Sequence, residues 1–574
     1  MTTIDQLCSD VQAGAMMRHL EEFARRVKLS GTPEELESFK YLQKTLDGCG
    51  FKTELIQHDA YISLPGKAKL VAGDHEPACI THSFSRSSGP KGVSGEMIYL
   101  GSGAESDFAK QDVRGKIVLV DGLASPAVSK RATQAGAVGQ VHAMVHEHKH
   151  EMCISPVWGS PTDETVKLLP TTVVVTVNKE DGDGLKARLA QGESRVKLFA
   201  EVDTSWRKTP ILTAELASAN GGADEPFVMF SGHHDTWYFG VMDNGAANAT
   251  MLEIARLFAS RRAEFRRGLR LCFWSGHSHG RYSGSTWYAD KHWAELERRC
   301  VAHVNVDSTG GRGNTVLNDM PASSELRALA VEAVQAQGQQ ELSGERMSRA
   351  GDQSFWGIGI PSLFMGGGEQ PAAGGVNVAA AIFGGAARKG AGFGWWWHTP
   401  DDTIDKIDLE LLVRDTRVYV HALWRLLTDA VVPLDYADYA DALIKELEPL
   451  KAASAKGVDV TPLLEAARDL KSKAAAFNAR IAKASDKDAA ALQAVLMKVS
   501  RHLVPIDYTS GDRFGQEPAL ALTPYPVLDP IRRLMGATAG SDAARFLAVA
   551  ATRACNRARH AIDGARSVFA ASPA

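Results

Sequence analysis

The stretch FVMFSGHHDTWYFGVMDNGAANATMLEIARLF, residues 227–258, decides the fold, because it contains a strand, a loop and a helix in succession. The strand delivers His233 and, two residues later, Asp235. Asp243 follows ten residues after His233 and directly precedes the helix. Imidazole and carboxylate are groups that a divalent ion such as Zn²⁺ accepts as ligands. Taken alone, the pattern fits a metal site and a polar helix cap equally well.

The sequence around this stretch alternates strands with helices. The segments FVMFSG, LRLCFWSG, VAHVNVDSTG and IPSLFMG have the composition of strands, and helical segments lie between them. Such alternation favours an α/β fold with a mainly parallel sheet flanked by helices. In this architecture ligands bind beyond the carboxyl ends of the strands, which is where His233 lies.

Two later segments strengthen the metal interpretation. VNVDSTG ends an apolar strand with Asp307, and WWWHTPDDTIDKID places His398 after three tryptophans and before a helix that opens with proline. A lone Asp at a strand end is usually a turn former, and a lone His beside Trp usually packs in the core. Four such groups, each at the end of a core element, instead predict a metal site made of His233, Asp243, Asp307 and His398.

The composition changes along the chain in a way that predicts three domains. Residues 1–60 have the pattern of helices followed by a strand, and residues 61–204 that of short strands with Gly-rich turns. Residues 205–435 alternate strands and helices, and residues 436–574 are Ala-rich with helical periodicity. Because the N-terminal elements are too short to bury a core alone, we predict that they share one domain with residues 205–435.

Charge and cysteine content argue against several classes of protein. Lys and Arg number 64 against 68 Asp and Glu, so neither nucleic acid nor an anionic membrane is expected as a partner. The seven cysteines contain no C-x-x-C pair, which argues against a disulfide framework and a thiolate zinc site. No apolar run approaches the length of a signal peptide or the roughly 18 residues of a membrane span, so a cytoplasmic protein is expected.

The order of the motifs resembles the M28 metallopeptidases, in particular the branch of the glutamate carboxypeptidases and the transferrin receptor. The resemblance covers nearly the whole chain and implies a β-rich protease-associated domain inserted at residues 61–204 and a helical dimerisation domain at residues 436–574. It also implies a homodimer in which Tyr508 and Arg513 reach the site of the other subunit. Trp397, with its neighbours Trp395 and Trp396, either walls a substrate pocket or packs in the core.

The resemblance also implies a role for each candidate ligand. His233 and Asp307 would hold one metal ion, His398 a second, and Asp243 would bridge the two. Asp235 would lie behind His233 and fix its tautomer. The peptide after Asp243 is expected in the cis form, as it is in the family.

The segment after the strand LRLCFW departs from the family pattern. The family places an adjacent Glu-Glu pair there, the first as general base and the second as metal ligand, whereas this chain reads SGHSHGRY from Ser275 and has no Glu. Counting from the strand puts His277 on the base and Ser278 on the ligand. Counting back from Gly284 puts Ser278 on the base and His279 on the ligand.

Imidazole suits both tasks, because neutral His binds metals and its ordinary pKa allows proton transfer near neutrality. A neutral hydroxyl such as that of Ser278 is a weak ligand, so we predict His279 as the ligand and His277 as the acid–base group.

These observations predict a metal-dependent hydrolase that cleaves an amide bond of a small peptide or N-acyl amino acid. Water would be activated at one or two Zn²⁺ ions, although another divalent first-row metal would also suit the ligands. Two alternatives stay open at the level of sequence. One is a metal-dependent enzyme of another class, such as a lyase, and the other is a binding module whose catalytic site has decayed.

Overall fold

Strands and helices alternate through the chain. The computed structural model describes residues 2–343, 346–371 and 392–572. The strands are β1 (Lys52–Val71), β2 (Ile80–Thr81), β3 (Val93–Tyr99), β4 (Ile117–Asp121), β5 (Gly139–Ala143), β6 (Val173–Val177), β7 (Arg195–Leu216), β8 (Phe227–His233), β9 (Gly268–Trp274), β10 (Cys300–Asn305) and β11 (Ser362–Leu363). The helices before β10 are α1 (Thr3–Ser9), α2 (Ala13–Phe23), α3 (Pro33–Gly48), α4 (Glu105–Lys110), α5 (Pro126–Gln134), α6 (Lys179–Ala190), α7 (Ala247–Ala259), α8 (Ser283–Lys291) and α9 (Trp293–Arg299). The later helices are α10 (Arg327–Gly338), α11 (Leu409–Thr428), α12 (Tyr436–Leu447), α13 (Thr461–Ile481), α14 (Ala489–Tyr508), α15 (Asp529–Gly536) and α16 (Asp542–Ala570).

The strands form one mixed sheet in the order β11-β10-β8-β9-β7-β3-β4-β5-β6-β2, and β1 pairs with β7. β8 lies parallel to β9 and β10, whereas β7 is antiparallel to β9, β3 and β1. The predicted α/β class is confirmed. The sheet is mixed because the long hairpin of β1 and β7 carries the chain from the N-terminal helices into residues 72–194 and back.

Strand β8 lies at the centre of the core and is buried along its whole length. Val228 and Phe230 belong to the apolar cluster that includes α7 and α11, whereas Phe227 and Met229 belong to a separate cluster with Trp274. Successive side chains of a strand point to opposite faces, so both faces of β8 are covered. This burial explains the continuous apolar run of its sequence.

The C-terminal helices α12 to α16 pack on the sheet domain through buried polar groups as well as apolar ones. Arg501 of α14 donates hydrogen bonds to the backbone oxygens of Gly359, at 2.7 Å, and Cys300, at 2.6 Å. None of the helices in the described residues is long and apolar enough to cross a bilayer. The division into domains at residues 60, 204 and 435 stays a prediction.

Candidate metal centre

Parallel neighbouring strands bring two of the predicted ligands together. β8 ends at His233, and β10 ends at Asn305, two residues before Asp307. Because β8 and β10 pair in parallel, their carboxyl ends meet at one edge of the sheet. Asp243 lies in a single π-helical turn, Val241–Ala246, directly before α7. The same edge of the sheet therefore carries three of the four predicted ligands.

Asp243 lies between the two predicted histidine ligands. Its Oδ1 is 3.1 Å from Nε2 of His233, and its Oδ2 is 3.1 Å from Nε2 of His398. Asp307 Oδ2 lies 3.5 Å from the same nitrogen of His233. The structure thus brings His233, Asp243, Asp307 and His398 into one cluster, with Asp243 at its centre.

Backbone carbonyl groups fix the tautomers of both histidines. Nδ1 of His233 lies 2.8 Å from the backbone oxygen of Asp235, and Nδ1 of His398 lies 2.7 Å from that of Glu151. Because a carbonyl oxygen only accepts, each neutral ring holds its proton on Nδ1 and turns an unprotonated Nε2 toward Asp243. The carboxylate of Asp235 is 3.7 Å from His233, so the carbonyl rather than the carboxylate makes the closer contact.

The cluster attracts positive charge. Burial alone lowers the pKa of His233, but the carboxylates of Asp307, Asp235 and Asp243 reverse this effect and raise its pKa well above the ordinary value. Burial alone raises the pKa of Asp243, but its contacts with His233 and His398 outweigh burial and lower it. Excess carboxylate charge in a buried site therefore holds a proton unless another cation replaces it.

A divalent cation fits this donor set. With Nε2 of His233 unprotonated, a nitrogen lone pair and a carboxylate oxygen face each other across 3.1 Å, which is repulsive unless a cation lies among them. Neither that nitrogen nor Asp243 Oδ1 has a hydrogen-bond partner in the described part of the chain. Imidazole and carboxylate donors together suit zinc and other first-row metals.

Asp402 supports the turn that carries Asp243. Its carboxylate accepts hydrogen bonds from the backbone N–H groups of Met242, at 2.9 Å, and Asp243, at 3.0 Å. Burial raises the pKa of Asp402 to about 7. The peptide between Asp243 and Asn244 is cis, as predicted. Sequence reasoning did not assign Asp402, although the acidic pair in HTPDDT was a signal.

Asp235 holds the unusual loop against β8. Its carboxylate accepts hydrogen bonds from the backbone N–H groups of Ser278, at 2.9 Å, and His277, at 3.3 Å, and from the hydroxyl of Ser30, at 2.7 Å. Asp235 is fully buried, and its pKa is lowered because the histidines around it outweigh the effect of burial. The residue predicted to orient His233 therefore also positions the His-Ser-His loop.

His277 lies at the cluster and lines the cavity beside it. Its ring stacks on that of His233, with ring centroids 3.6 Å apart and planes inclined by 13°. Its Nδ1 lies 2.6 Å from Oδ2 of Asp352. One ligand atom each from His233, His277 and Asp307 also fall within 4.8 Å of one another.

Stacking argues against a shared metal ion for these two histidines. A metal–nitrogen bond lies in the plane of the imidazole ring and is about 2.0–2.1 Å long for zinc. The planes of His233 and His277 are nearly parallel and do not meet at such a distance from both rings. In this arrangement the two rings do not direct their nitrogens at one common ion.

His279 occupies a different environment from His277. It is fully buried, its Nδ1 lies 3.0 Å from the Ser30 hydroxyl, and its ring packs 4.5 Å from that of Trp237. Among the described residues, those that line the cavity include His277 and Ser278 but not His279. Burial lowers the pKa of His279 to about 4. No hydrogen bond or ring contact joins this predicted ligand to Asp243 or His398 in the described part of the chain, and the ring of Trp237 packs against both His279 and His398.

The three consecutive tryptophans have different environments. Trp397 lines the cavity and stacks on His398, with ring centroids 3.5 Å apart. Trp396 is buried against Met242, whereas Trp395 is 44% exposed. Trp397 is therefore the one in position to contact a substrate beside the candidate ligands.

Tyr508 and Arg513 lie away from the cluster. Tyr508 is 1% exposed and stacks on Trp356, with ring centroids 4.1 Å apart. Arg513 donates to the backbone oxygens of Gly357 and Ile358, each at 3.1 Å. Within one chain, the ring of Tyr508 is enclosed in the core against Trp356, so it does not line the cavity.

Residues 61–204 contact both loops of the site through the backbone. Besides the Glu151 oxygen at His398 Nδ1, the Glu151 N–H donates to the backbone oxygen of His398 at 3.1 Å. The N–H of Gly159 donates to the backbone oxygen of Arg281 at 2.6 Å. Backbone contacts leave no side-chain signal, so sequence reasoning missed Glu151.

Comparison with known proteins agrees with this geometry. The model of peptidase family M28 matches residues 213–423. A probable glutamate carboxypeptidase from Arabidopsis thaliana is 23% identical over 544 residues, which cover 79% of this chain and 73% of that protein. Solved aminopeptidases from Aneurinibacillus and Bacillus subtilis share the fold at 21% and 19% identity, with TM-scores of 0.53 and 0.55. They cover 74% and 73% of this chain and 96% of each structure. Residues 213–423 therefore form a domain that matches peptidase family M28.

Proposed function

We propose that this protein is a metal-dependent hydrolase that cleaves an amide bond of a small peptide or N-acyl amino acid. The observation that carries the proposal is Asp243, whose two carboxylate oxygens lie 3.1 Å from Nε2 of His233 and 3.1 Å from Nε2 of His398. The M28 match and the zinc aminopeptidase named among the solved structures support zinc as the ion.

The donor set supports one firmly held ion and a weaker second one. His233, Asp243 and Asp307 would supply three protein ligands, which is the usual number for a catalytic zinc site with an open position. His398 and Asp243 would supply only two ligands to a second ion. We therefore expect close to one tightly bound zinc per chain, with further metal retained only at higher zinc concentration.

Zinc in such a site supplies Lewis-acid polarisation of the amide carbonyl and of the attacking water. His277 accepts the proton of that water on Nε2 and passes it to the leaving amine. Trp397 forms an apolar wall beside His398 and orients the substrate. Together these groups give hydrolysis without the glutamate that the family uses as a base.

The test combines metal analysis with product analysis. Freshly purified protein is assayed for metal content and then for hydrolysis of dipeptides and N-acyl amino acids in ¹⁸O-labelled water. We expect bound zinc and one labelled oxygen in the acid product. Absence of bound divalent metal would support a binding module, and metal-dependent turnover without labelled acid would support another reaction class.

We also propose a homodimer formed through the C-terminal helices. Phe546 and Val549, on one side of α16, are 76% and 55% exposed. Light scattering should give twice the 61.8 kDa of one chain. Phe546→Glu should shift the equilibrium toward the monomer, whereas Arg298→Glu, at an exposed ion pair on α9, should not. A monomer at micromolar concentration would contradict the proposal.

A further inference from the structure

A buried chain of hydrogen bonds connects His277 to Trp158. Asp352 receives Nδ1 of His277 on Oδ2 at 2.6 Å and the hydroxyl of Ser285 on Oδ1 at 2.7 Å. The Ser285 hydroxyl lies 2.9 Å from that of Ser354, and Nε1 of Trp158 donates to Ser354 at 2.9 Å. All four residues beyond His277 are at most 3% exposed.

The two ends of this chain constrain the direction of its hydrogen bonds. Trp158 Nε1–H only donates, and the carboxylate of Asp352 only accepts. The Ser285 hydroxyl therefore donates to Asp352 at 2.7 Å, which is shorter than its 3.2 Å distance to the Tyr282 carbonyl oxygen. Ser354 accepts from Trp158 and can donate to Ser285, at 2.9 Å, or to Thr286, at 3.3 Å. The remaining oxygen of Asp352 requires a donor, so the proton of His277 lies on Nδ1 and its Nε2 is free.

We propose that Asp352 is a positioning residue that fixes the tautomer and ring orientation of His277, and that the Ser285–Ser354–Trp158 chain holds Asp352 for this purpose. The proposal rests on the proton-transfer role given to His277 above. In place of the family's single glutamate, a histidine and an aspartate form a pair, with the aspartate behind the ring. A buried carboxylate that accepts two hydrogen bonds is held in one orientation. Asp352 in turn holds the ring of His277, and a proton-transfer group needs such a fixed orientation.

Ser285 and Trp158 belong to different parts of the chain. Ser285 lies on α8, directly after the His-Ser-His loop, whereas Trp158 lies in residues 61–204 and also stacks near Tyr282, with ring centroids 4.1 Å apart. The orientation of His277 is therefore set partly from outside the α/β domain. Trp158→Phe keeps an aromatic ring but removes the donor at the end of the chain.

The decisive variant is Asp352→Asn in the full-length zinc protein. An amide can donate to Nδ1 of His277 and so favour the wrong tautomer. We expect kcat to fall about 10²–10⁴-fold, the range of general acid–base catalysis, with KM and zinc content unchanged. Asp352→Glu should restore part of the rate, and Trp158→Phe should cause a smaller loss than Ser285→Ala.

Proton NMR of ¹⁵N-histidine-labelled protein supplies a readout that does not depend on turnover. An imidazole N–H bonded to a buried carboxylate gives a far-downfield proton, and we expect one that disappears in Asp352→Asn and in His277→Ala. Glu253→Gln, which alters a buried carboxylate on α7 paired with Arg256, is the matched control and should retain it.

The outcomes separate this proposal from the proposed function. If the wild type hydrolyses nothing but the downfield proton is present and depends on Asp352, the positioning role stands and the hydrolase proposal fails. If Asp352→Asn keeps the downfield proton or the wild-type kcat, the positioning role is wrong. If Asp352→Asn does not fold, the downfield proton signal and kcat of Ser285→Ala decide the question instead.

Discussion

Two regions meet at the candidate site: the edge of β8 and β10, and the loop from Ser275 to Tyr282. They differ in how closely their residues follow the M28 pattern. The strand edge carries His233, Asp243 and Asp307 in the spacing that the M28 resemblance predicts. The loop has no glutamate and supplies two histidines, only one of which lines the cavity. On our proposal, the metal ligands follow the family pattern while the proton-transfer group does not, so we expect that the two regions can vary separately.

The largest expected effect lies at the strand edge. Asp243→Ala removes the residue that faces both histidines, so we expect loss of bound zinc and loss of all measurable turnover. Metal analysis after gel filtration and a hydrolysis assay check both. Asp224→Ala, at an exposed ion pair with Arg298, should leave both unchanged. Retention of zinc by Asp243→Ala would remove the basis for the metal centre.

The loop should respond in a contrasting way. His277→Ala should keep zinc and lower kcat about 10²–10⁴-fold, because it removes the proton-transfer group and no ligand. His279→Ala should leave kcat within a few-fold of wild type. The pair is compared by metal analysis and steady-state kinetics. Loss of zinc in His279→Ala, with retention in His277→Ala, would restore His279 as a ligand and contradict our assignment.

An intermediate effect is expected behind the strand edge. Asp402→Asn weakens the acceptor of the Met242 and Asp243 N–H groups but touches no metal. We expect a 10- to 100-fold loss of zinc affinity, the range seen when the partners of metal ligands are changed. Zinc competition with a chelating dye measures it. Asp405→Asn, three residues away and exposed, is the control and should bind zinc as the wild type does.

The last prediction concerns stability and pH and leaves zinc binding and turnover untouched. Burial lowers the pKa of His279 to about 4, so below about pH 6.5 the unfolded state binds a proton that the folded state does not. Stability is therefore lost as pH falls from 6.5 toward 4, by at most about 3 kcal/mol from this group. Urea unfolding of His279→Gln should show a shallower decline than wild type across this window. Parallel curves would contradict the buried, neutral state of His279.

Sequence patterns predicted the parts of the site whose side chains end strands. His233 and Asp307 follow buried apolar strands that pair in parallel, so the topology of the sheet brings them together. Asp243 was indicated by its spacing from His233 and by its place directly before a helix. The role of His279 was harder to predict, because a gapless count cannot show which way a turn directs alternate residues. Contacts made by the backbone, such as the Glu151 carbonyl at His398, leave no trace in residue type.

Asp352 is a residue whose role the sequence could not reveal. In the sequence Asp352 follows Gly351, as an Asp that caps a helix often would, so the sequence alone does not distinguish it from a capping residue. Only the fold shows that it lies 2.6 Å from a ring nitrogen of His277. Long-range pairs of polar residues, separated here by 75 positions, depend on tertiary packing that local patterns do not encode.

Two hydrogen bonds join Glu151 to His398, which lies 247 positions later: Nδ1–H of His398 donates to the Glu151 carbonyl oxygen, and the Glu151 N–H donates to that of His398. A ligand that binds only the native state stabilises it by about 2.7 kcal/mol at a free concentration of 100 times Kd. Because the Glu151 carbonyl accepts the Nδ1 proton of His398, we expect that gain to extend to residues 61–204, which hold none of the proposed ligands. Zinc should thus slow amide exchange and proteolytic cleavage there, and unfolding this segment should release metal from a distance.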